Sequence, residues 1–167
     1  MKPAFPSGIG SLLLLGALAS CSKEDSPPQP DFFVRATKDG ASWVAAGSGT
    51  FSKSRQQFYV IGQVGDVAQA EALNLGFALP AAPHLTPVQA LSASWVTVVG
   101  GDVISNSYGL TDTPGVPSLE ITRLDTVTKI VEGRFTATLV RDKHWSAQRE
   151  VLQFTDGSFR VRYTTAP

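Results

Sequence analysis

Side chains with catalytic or metal-binding chemistry are few in this chain of 167 residues, which has one cysteine, Cys21, and two histidines, His84 and His144. His84 lies in a proline-rich stretch and His144 in a predicted turn, and neither belongs to a nucleophile or metal motif. A nucleophile needs a nearby base held by a third group, and a catalytic zinc site usually needs three protein ligands. We therefore expect solvated histidines, no bound metal and no cofactor.

Paired carboxylates are another route to catalysis, as in glycoside hydrolysis. Glu120 and Glu132 fall at outward positions of predicted strands, where pairing with a charge across the strands is the ordinary role. The loop residues that could bind calcium lack the spacing of known calcium loops. We expect no enzyme, and a hydrolase with a carboxylate pair is the least favoured alternative. The residues considered were Glu120, Asp125, Glu132, Asp142 and Glu150 for catalysis, and Asp102, Asn106 and Asp112 for calcium.

Cys21 has the clearest chemistry, because Leu18-Ala19-Ser20-Cys21 looks like a bacterial lipobox. Lys2 and the apolar run 9–19 before it have the charge and short core of a secretory signal, whereas a bilayer-spanning helix needs about 20 apolar residues. Small side chains fit the peptidase near the scissile bond, and the thiol accepts the lipid. We expect cleavage before Cys21, its acylation with palmitate-type chains, and stable anchoring in a membrane.

The residues after Cys21 predict where the protein is located. Lys23, Glu24 and Asp25 resemble the surface-export signal of Bacteroidota lipoproteins, which implies an outer-membrane protein that faces the cell exterior. An ordinary solvated tether is the alternative. The prolines of segment 22–30 favour an extended polyproline II conformation of up to about 28 Å. The predicted divisions are a signal peptide (1–20), a lipidated cysteine with its tether (21–30) and a β-rich domain (31–167).

Composition limits the remaining possibilities. The 14 basic and 14 acidic residues balance, so nothing favours a nucleic-acid partner. With Cys21 lipidated, no thiol remains for a disulfide or a metal. Segment 31–167 has the length of one ordinary domain.

Short strand patterns dominate this domain. Residues 73–79 alternate apolar and polar side chains, which is typical of an antiparallel sheet with one buried face. Asp39-Gly40 and Asp156-Gly157 each predict a hairpin turn, and the one helical candidate is residues 67–72. Nine or ten closely spaced strands predict an all-β fold, either a single antiparallel β-sandwich or a flattened barrel.

Aromatic and basic residues supply the candidate binding features. Trp43 and Trp95 lie inside apolar strand patterns, so we expect both in the core. Trp145 lies in a loop or strand end, and exposed aromatic side chains in loops favour recognition. The candidate ligand-binding residues are therefore Trp145, His144 and Lys143. Arg160 and Arg162, with Arg134, could form a basic stripe or simply a solvated face that protects an edge strand.

Three segments of the C-terminal half resemble a family of uncharacterised Bacteroidota surface lipoproteins: residues 119–125 (LEITRLD), 131–135 (VEGRF) and 154–159 (FTDGSF). Members of that family open with a strand, a glycine turn and a tryptophan, similar to residues 36–43 (ATKDGASW). The likeness spans residues 32–163. It implies a β-rich fold and a lipid anchor, and it brings no activity and no catalytic residues.

Taken together, these features predict a non-catalytic outer-membrane lipoprotein. It would display a β-sandwich binding or accessory module at the cell surface, with a glycan or an envelope protein as its ligand and the membrane as its other partner. A periplasm-facing structural or inhibitory envelope protein is the alternative.

Overall fold

The computed structural model describes residues 30–66, 68–110, 117–144 and 147–167. The predicted lipobox, Cys21, the export signal and Trp145 lie outside these residues. The regular structure within them is all β, which confirms the predicted class and the number of strands. The ten strands are β1 (Phe33–Lys38), β2 (Ala41–Ser52), β3 (Gln57–Gly65), β4 (Gln69–Ala78), β5 (Thr86–Pro87), β6 (Ala90–Val99), β7 (Val103–Gly109), β8 (Ser118–Asp125), β9 (Ile130–Arg141) and β10 (Val151–Ala166).

The strands form one sheet in the order β1-β10-β2-β3-β4-β6-β7-β9-β8-β5, and further pairings of β1 with β2 and of β10 with β9 close it in a ring. The prediction of an antiparallel β-sandwich is wrong on two counts. The strands close in a ring in place of forming a sandwich, and β10 pairs with β2 in parallel through Tyr163–Ala166 and Gly49–Ser52. The reason is the length of β1. Its six residues separate β2 from β10 only over the first half of each strand, and the two long strands then meet directly.

The two Asp-Gly pairs have different structures. Asp39 and Gly40 have φ angles of 49° and 84° and form the predicted hairpin turn between β1 and β2. The hairpin predicted at Asp156-Gly157 is wrong, because β10 runs through it with a register shift between Phe154 and Gly157. The twelve-residue β9 pairs with β10 on both sides of this shift and so holds it as one strand.

Two smaller predictions also fail. The one helical candidate, residues 67–72, is not helical in its described part, residues 68–72. Gln69 begins β4, after a turn in which the carboxylate of Asp66 accepts hydrogen bonds from the N–H groups of Ala68 and Gln69. Arg160 and Arg162 do not protect an edge, because β10 has paired neighbours on both sides. Within the described residues, no helix has the length and apolar character needed to span a bilayer.

The hydrophobic core fills the inside of the ring. Alternate residues of each long strand point inward, and those with almost no exposed surface include Phe58, Phe77, Phe154 and Phe159. The predicted burial of Trp43 and Trp95 is confirmed, since each is only 6% exposed.

Gly133 of β9 tests how tightly the wall of the ring is packed. A Cβ atom at this position would lie 2.5 Å from Cζ of Phe159 and 2.7 Å from the carbonyl oxygen of Glu120. We expect Gly133→Ala to lower the free energy of unfolding by about 1–3 kcal/mol, as overpacking does. Urea denaturation followed by circular dichroism measures the change.

Gly109→Ala is the matched control, because a Cβ atom there would meet nothing within 4 Å. It should change the free energy of unfolding by less than about 1 kcal/mol. Equal losses in the two variants would contradict the close approach at Gly133.

Candidate functional site

Polar residues occupy the inward positions at one end of the ring. Along β1, Val34 and Ala36 are buried and Lys38 follows on the same face, while along β4 Glu71 precedes Leu73, Leu75 and Phe77 on theirs. Side chains two apart in a strand share a face. The alternation that places apolar residues in the core therefore also places Lys38 and Glu71 above it.

An ion pair joins these two residues inside the ring. Nζ of Lys38 lies 2.7 Å from Oε2 of Glu71, and the same oxygen accepts a hydrogen bond of 3.2 Å from Nε1 of Trp43. The side chains of Lys38 and Glu71 are 22% and 34% exposed. Because a buried polar group is costly unless it is paired, this mutual pairing allows both charges to lie next to the core.

Aromatic rings complete the site. Nζ of Lys38 lies 4.7 Å from the centre of the Trp95 ring, within the usual range of a cation–π contact. The rings of Tyr108 and Trp95 pack edge to face, with 5.6 Å between their centres. Nε1 of Trp95 is enclosed, and no described residue accepts a hydrogen bond from it. An enclosed donor without a partner costs about 1–3 kcal/mol.

These side chains surround a cavity of about 290 Å³ that we call the mouth. Its lining residues come from five strands around the ring and from two connections, which places it at the end of the interior. Thr97 and Asn106 lie beside the aromatic pair, and Nδ2 of Asn106 donates to Oγ1 of Thr97 over 3.3 Å. The other lining residues are Asp39, Gln69, Gln148, Arg149 and Leu152.

The connection between β9 and β10 contains the candidate binding residues predicted from the sequence, Trp145, His144 and Lys143. Its Gln148 and Arg149 line the mouth. His144 and Lys143 are exposed, and the N–H of His144 donates to Asp142 over 2.9 Å. The structure thus brings the predicted loop to the mouth without placing His144 or Lys143 among the lining residues.

A larger cavity of about 510 Å³ lies on the outer wall of the ring. Its charged lining residues include Arg35, Glu120 and Arg134, and Glu120 faces Arg134 across β8 and β9. Nε of Arg35 donates to Ser158 over 2.9 Å. We favour the mouth as the candidate site because its polar side chains point into the ring. The larger cavity lies on the outer face, where Glu120 and Arg134 already pair with each other.

Several carboxylates considered for catalysis form contacts with arginine. Asp125 contacts Arg123 at 3.1 Å, and Glu150 contacts Arg141 at 2.6 Å. Glu132 lies 3.7 Å from Arg123 and 3.9 Å from Arg160. These contacts match the ordinary charge pairing expected for Glu132. His84 is exposed in its loop.

No group of three or more histidine, aspartate or glutamate side chains in the described part of the chain is placed to hold a metal ion. Comparison of the sequence with protein-family models and with curated proteins finds no match. The resemblance to Bacteroidota surface lipoproteins therefore stays a prediction.

Proposed function

We propose that this protein is a non-catalytic, lipid-anchored binding module that takes a glycan in the mouth of its ring. Cys21 carries the anchor, and the domain faces the cell exterior. The observation that supports the ligand site best is the cavity of about 290 Å³ in which the ammonium group of Lys38 lies over the ring of Trp95.

A glycan suits the chemistry of the mouth. Sugar hydroxyl and carbonyl oxygens accept hydrogen bonds, which the ammonium group of Lys38 can donate. The largely buried rings of Trp95 and Tyr108 form part of the cavity lining beside this donor. Small-ligand sites often lie in the mouths of closed sheets and combine aromatic walls with a few polar groups.

The lipid anchor and the outward orientation are supported by the sequence. The lipobox ends in the only cysteine of the chain, and Lys23, Glu24 and Asp25 match the pattern of a surface-export signal. A binding role without catalysis is supported by the pairing of Glu71, whose carboxylate is held by Lys38 and Trp43.

A panel of neutral and acidic oligosaccharides, titrated into the purified chain by calorimetry, tests the proposal. We expect at least one glycan to bind. Lys38→Met and Glu71→Gln should each weaken that binding about 10- to 100-fold, which corresponds to about 1.4–2.7 kcal/mol.

Arg134→Met on the outer wall is the control and should leave the affinity unchanged, since Arg134 is exposed and does not line the mouth. Thermal unfolding of each variant shows whether it remains folded. Unaltered binding in both mouth variants would exclude the mouth as the site, and no binding by any glycan would exclude this ligand class.

One observation favours the alternative of a periplasm-facing structural or inhibitory envelope protein. Strand β7 pairs with β9 only at Tyr108 and Gly109, and Val103 and Ile104 before them are exposed. An apolar edge of this kind can bind an extended segment of another protein.

Protease shaving of intact cells distinguishes the two orientations. Release of peptides from the domain, with periplasmic controls intact, supports outward display, and protection supports the alternative.

A further inference from the structure

The end of the ring opposite the mouth has its own chemical character. Three connections lie there: residues 53–56, residues 79–85 and residues 126–129. We call this surface the far end. Its connections are joined to one another or to neighbouring strands, since the N–H of Leu79 donates to Gln56 over 3.0 Å and the N–H of Leu124 donates to Pro83 over 2.8 Å.

The far end combines basic and apolar side chains. Lys53, Arg55 and Lys129 are exposed, and the one acidic residue at these connections is Asp125, whose carboxylate is bonded to the backbone of residues 127 and 128. Val127 is 88% exposed and Leu85 is 69% exposed, the two highest values among the large hydrophobic residues that are exposed. The connections at the mouth have the opposite balance, with the acidic residues Asp39, Asp66, Asp102, Asp142 and Glu150 against the basic residues Lys143 and Arg149.

The turn that carries Val127 is held firmly. Oδ1 of Asp125 accepts hydrogen bonds from the N–H groups of Val127 and Thr128, at 3.0 and 2.9 Å. The pKa of Asp125 lies below its ordinary value, chiefly because the backbone N–H and the hydroxyl of Thr128 donate to its carboxylate. Nζ of Lys129 lies 5.7 Å from the centre of the Tyr163 ring. Val127 is therefore presented outward on a fixed turn.

The chain enters the ring from the side of the far end. Strand β1 runs from Phe33 to Lys38, and Lys38 lies at the mouth. Phe33 pairs with Ala46 partway along β2, and the carbonyl of Phe32 accepts a hydrogen bond from Gly47 over 3.1 Å. Phe32, next to Gly47, thus lies nearer the far end than Phe33 does.

We propose that the far end docks on the lipid surface to which Cys21 is anchored, so that the mouth points away from the membrane. This inference rests on the proposed anchor. Lys53, Arg55 and Lys129 contact the anionic headgroups, while Val127 and Leu85 enter the interfacial region. The acidic connections at the mouth are repelled by the same surface, which fixes the orientation.

Depth-dependent fluorescence quenching tests this orientation. The acylated chain is inserted in vesicles of phosphatidylcholine and phosphatidylglycerol that contain a lipid with a nitroxide quencher at the headgroup. A fluorophore is attached at Val127→Cys in one sample and at Asp102→Cys, in a turn at the mouth, in another. We expect severalfold stronger quenching at position 127. Leu85→Cys gives a second site at the far end and should behave like position 127.

Charge variants give the matched comparison. Lys53→Glu with Lys129→Glu should reduce the quenching at position 127, while Lys143→Glu at the mouth should leave it unchanged. Equal quenching at positions 127 and 102 on vesicles that retain the chain would overturn the docking but not the anchor. A chain that does not float with the vesicles would overturn the anchor and the orientation together. Circular dichroism confirms that each variant is folded.

Discussion

Replacing Cys21 with alanine is expected to abolish acylation and to release the protein from the membrane or leave it unprocessed. The thiol of Cys21 is the only one in the chain, so no other side chain can accept the diacylglycerol. Each buried CH₂ group of an acyl chain contributes about 0.8 kcal/mol to membrane binding, and the variant loses this whole contribution. Incorporation of radiolabelled palmitate and fractionation of membranes measure the two effects.

Ser26→Ala in the tether is the control for this experiment. It changes a small polar residue close to Cys21 while leaving the lipobox intact, so acylation and fractionation should match those of the unaltered chain. Undiminished palmitate incorporation in Cys21→Ala would show that the anchor lies elsewhere or does not exist.

Local sequence patterns predicted the strands because alternation is a local property. Leu73, Leu75 and Phe77 of β4 are buried as their spacing required. Leu79, predicted on the same face, lies beyond the end of β4 and is 41% exposed. The pattern therefore identified the face of the strand but not where the strand ends.

Closure of the ring depends on contacts between distant parts of the chain. The parallel pairing joins β2, near the start of the domain, to β10, the last strand along the chain. No turn residue encodes this pairing. The same limit explains the two Asp-Gly pairs. Each dipeptide tolerates a tight turn, but at Asp156-Gly157 the pairing with β9 continues past the dipeptide and keeps β10 as one strand.

The strand alternation in the sequence already places the charged residues of the mouth on the inward face of their strands. Glu71 is two residues before Leu73 and so shares its inward face, but the helical prediction for residues 67–72 concealed this relation. Lys38 likewise continues the inward series of Val34 and Ala36. A charged residue on the core face of a strand is unusual, and two such residues at one end of the ring are the signal that was missed.

Removing the ring of Phe58 is expected to produce the largest loss of stability. Phe58 is 1% exposed and contacts Phe51, Phe77 and Tyr163, with ring centres 4.7, 5.4 and 5.1 Å away. These neighbours belong to β2, β4 and β10, so the cavity would open directly behind the parallel pairing that closes the ring. We expect Phe58→Ala to lower the free energy of unfolding by about 3–5 kcal/mol, measured by urea denaturation.

Ile61→Ala on the same strand separates this effect from a general weakness of β3. Ile61 points outward and is 37% exposed, so its truncation should change the free energy of unfolding by about 0.5 kcal/mol or less. Since a domain of this size is stable by only about 5–15 kcal/mol, Phe58→Ala removes a large part of the total. Similar losses in the two variants would show that the rings around Phe58 do not hold the closure together.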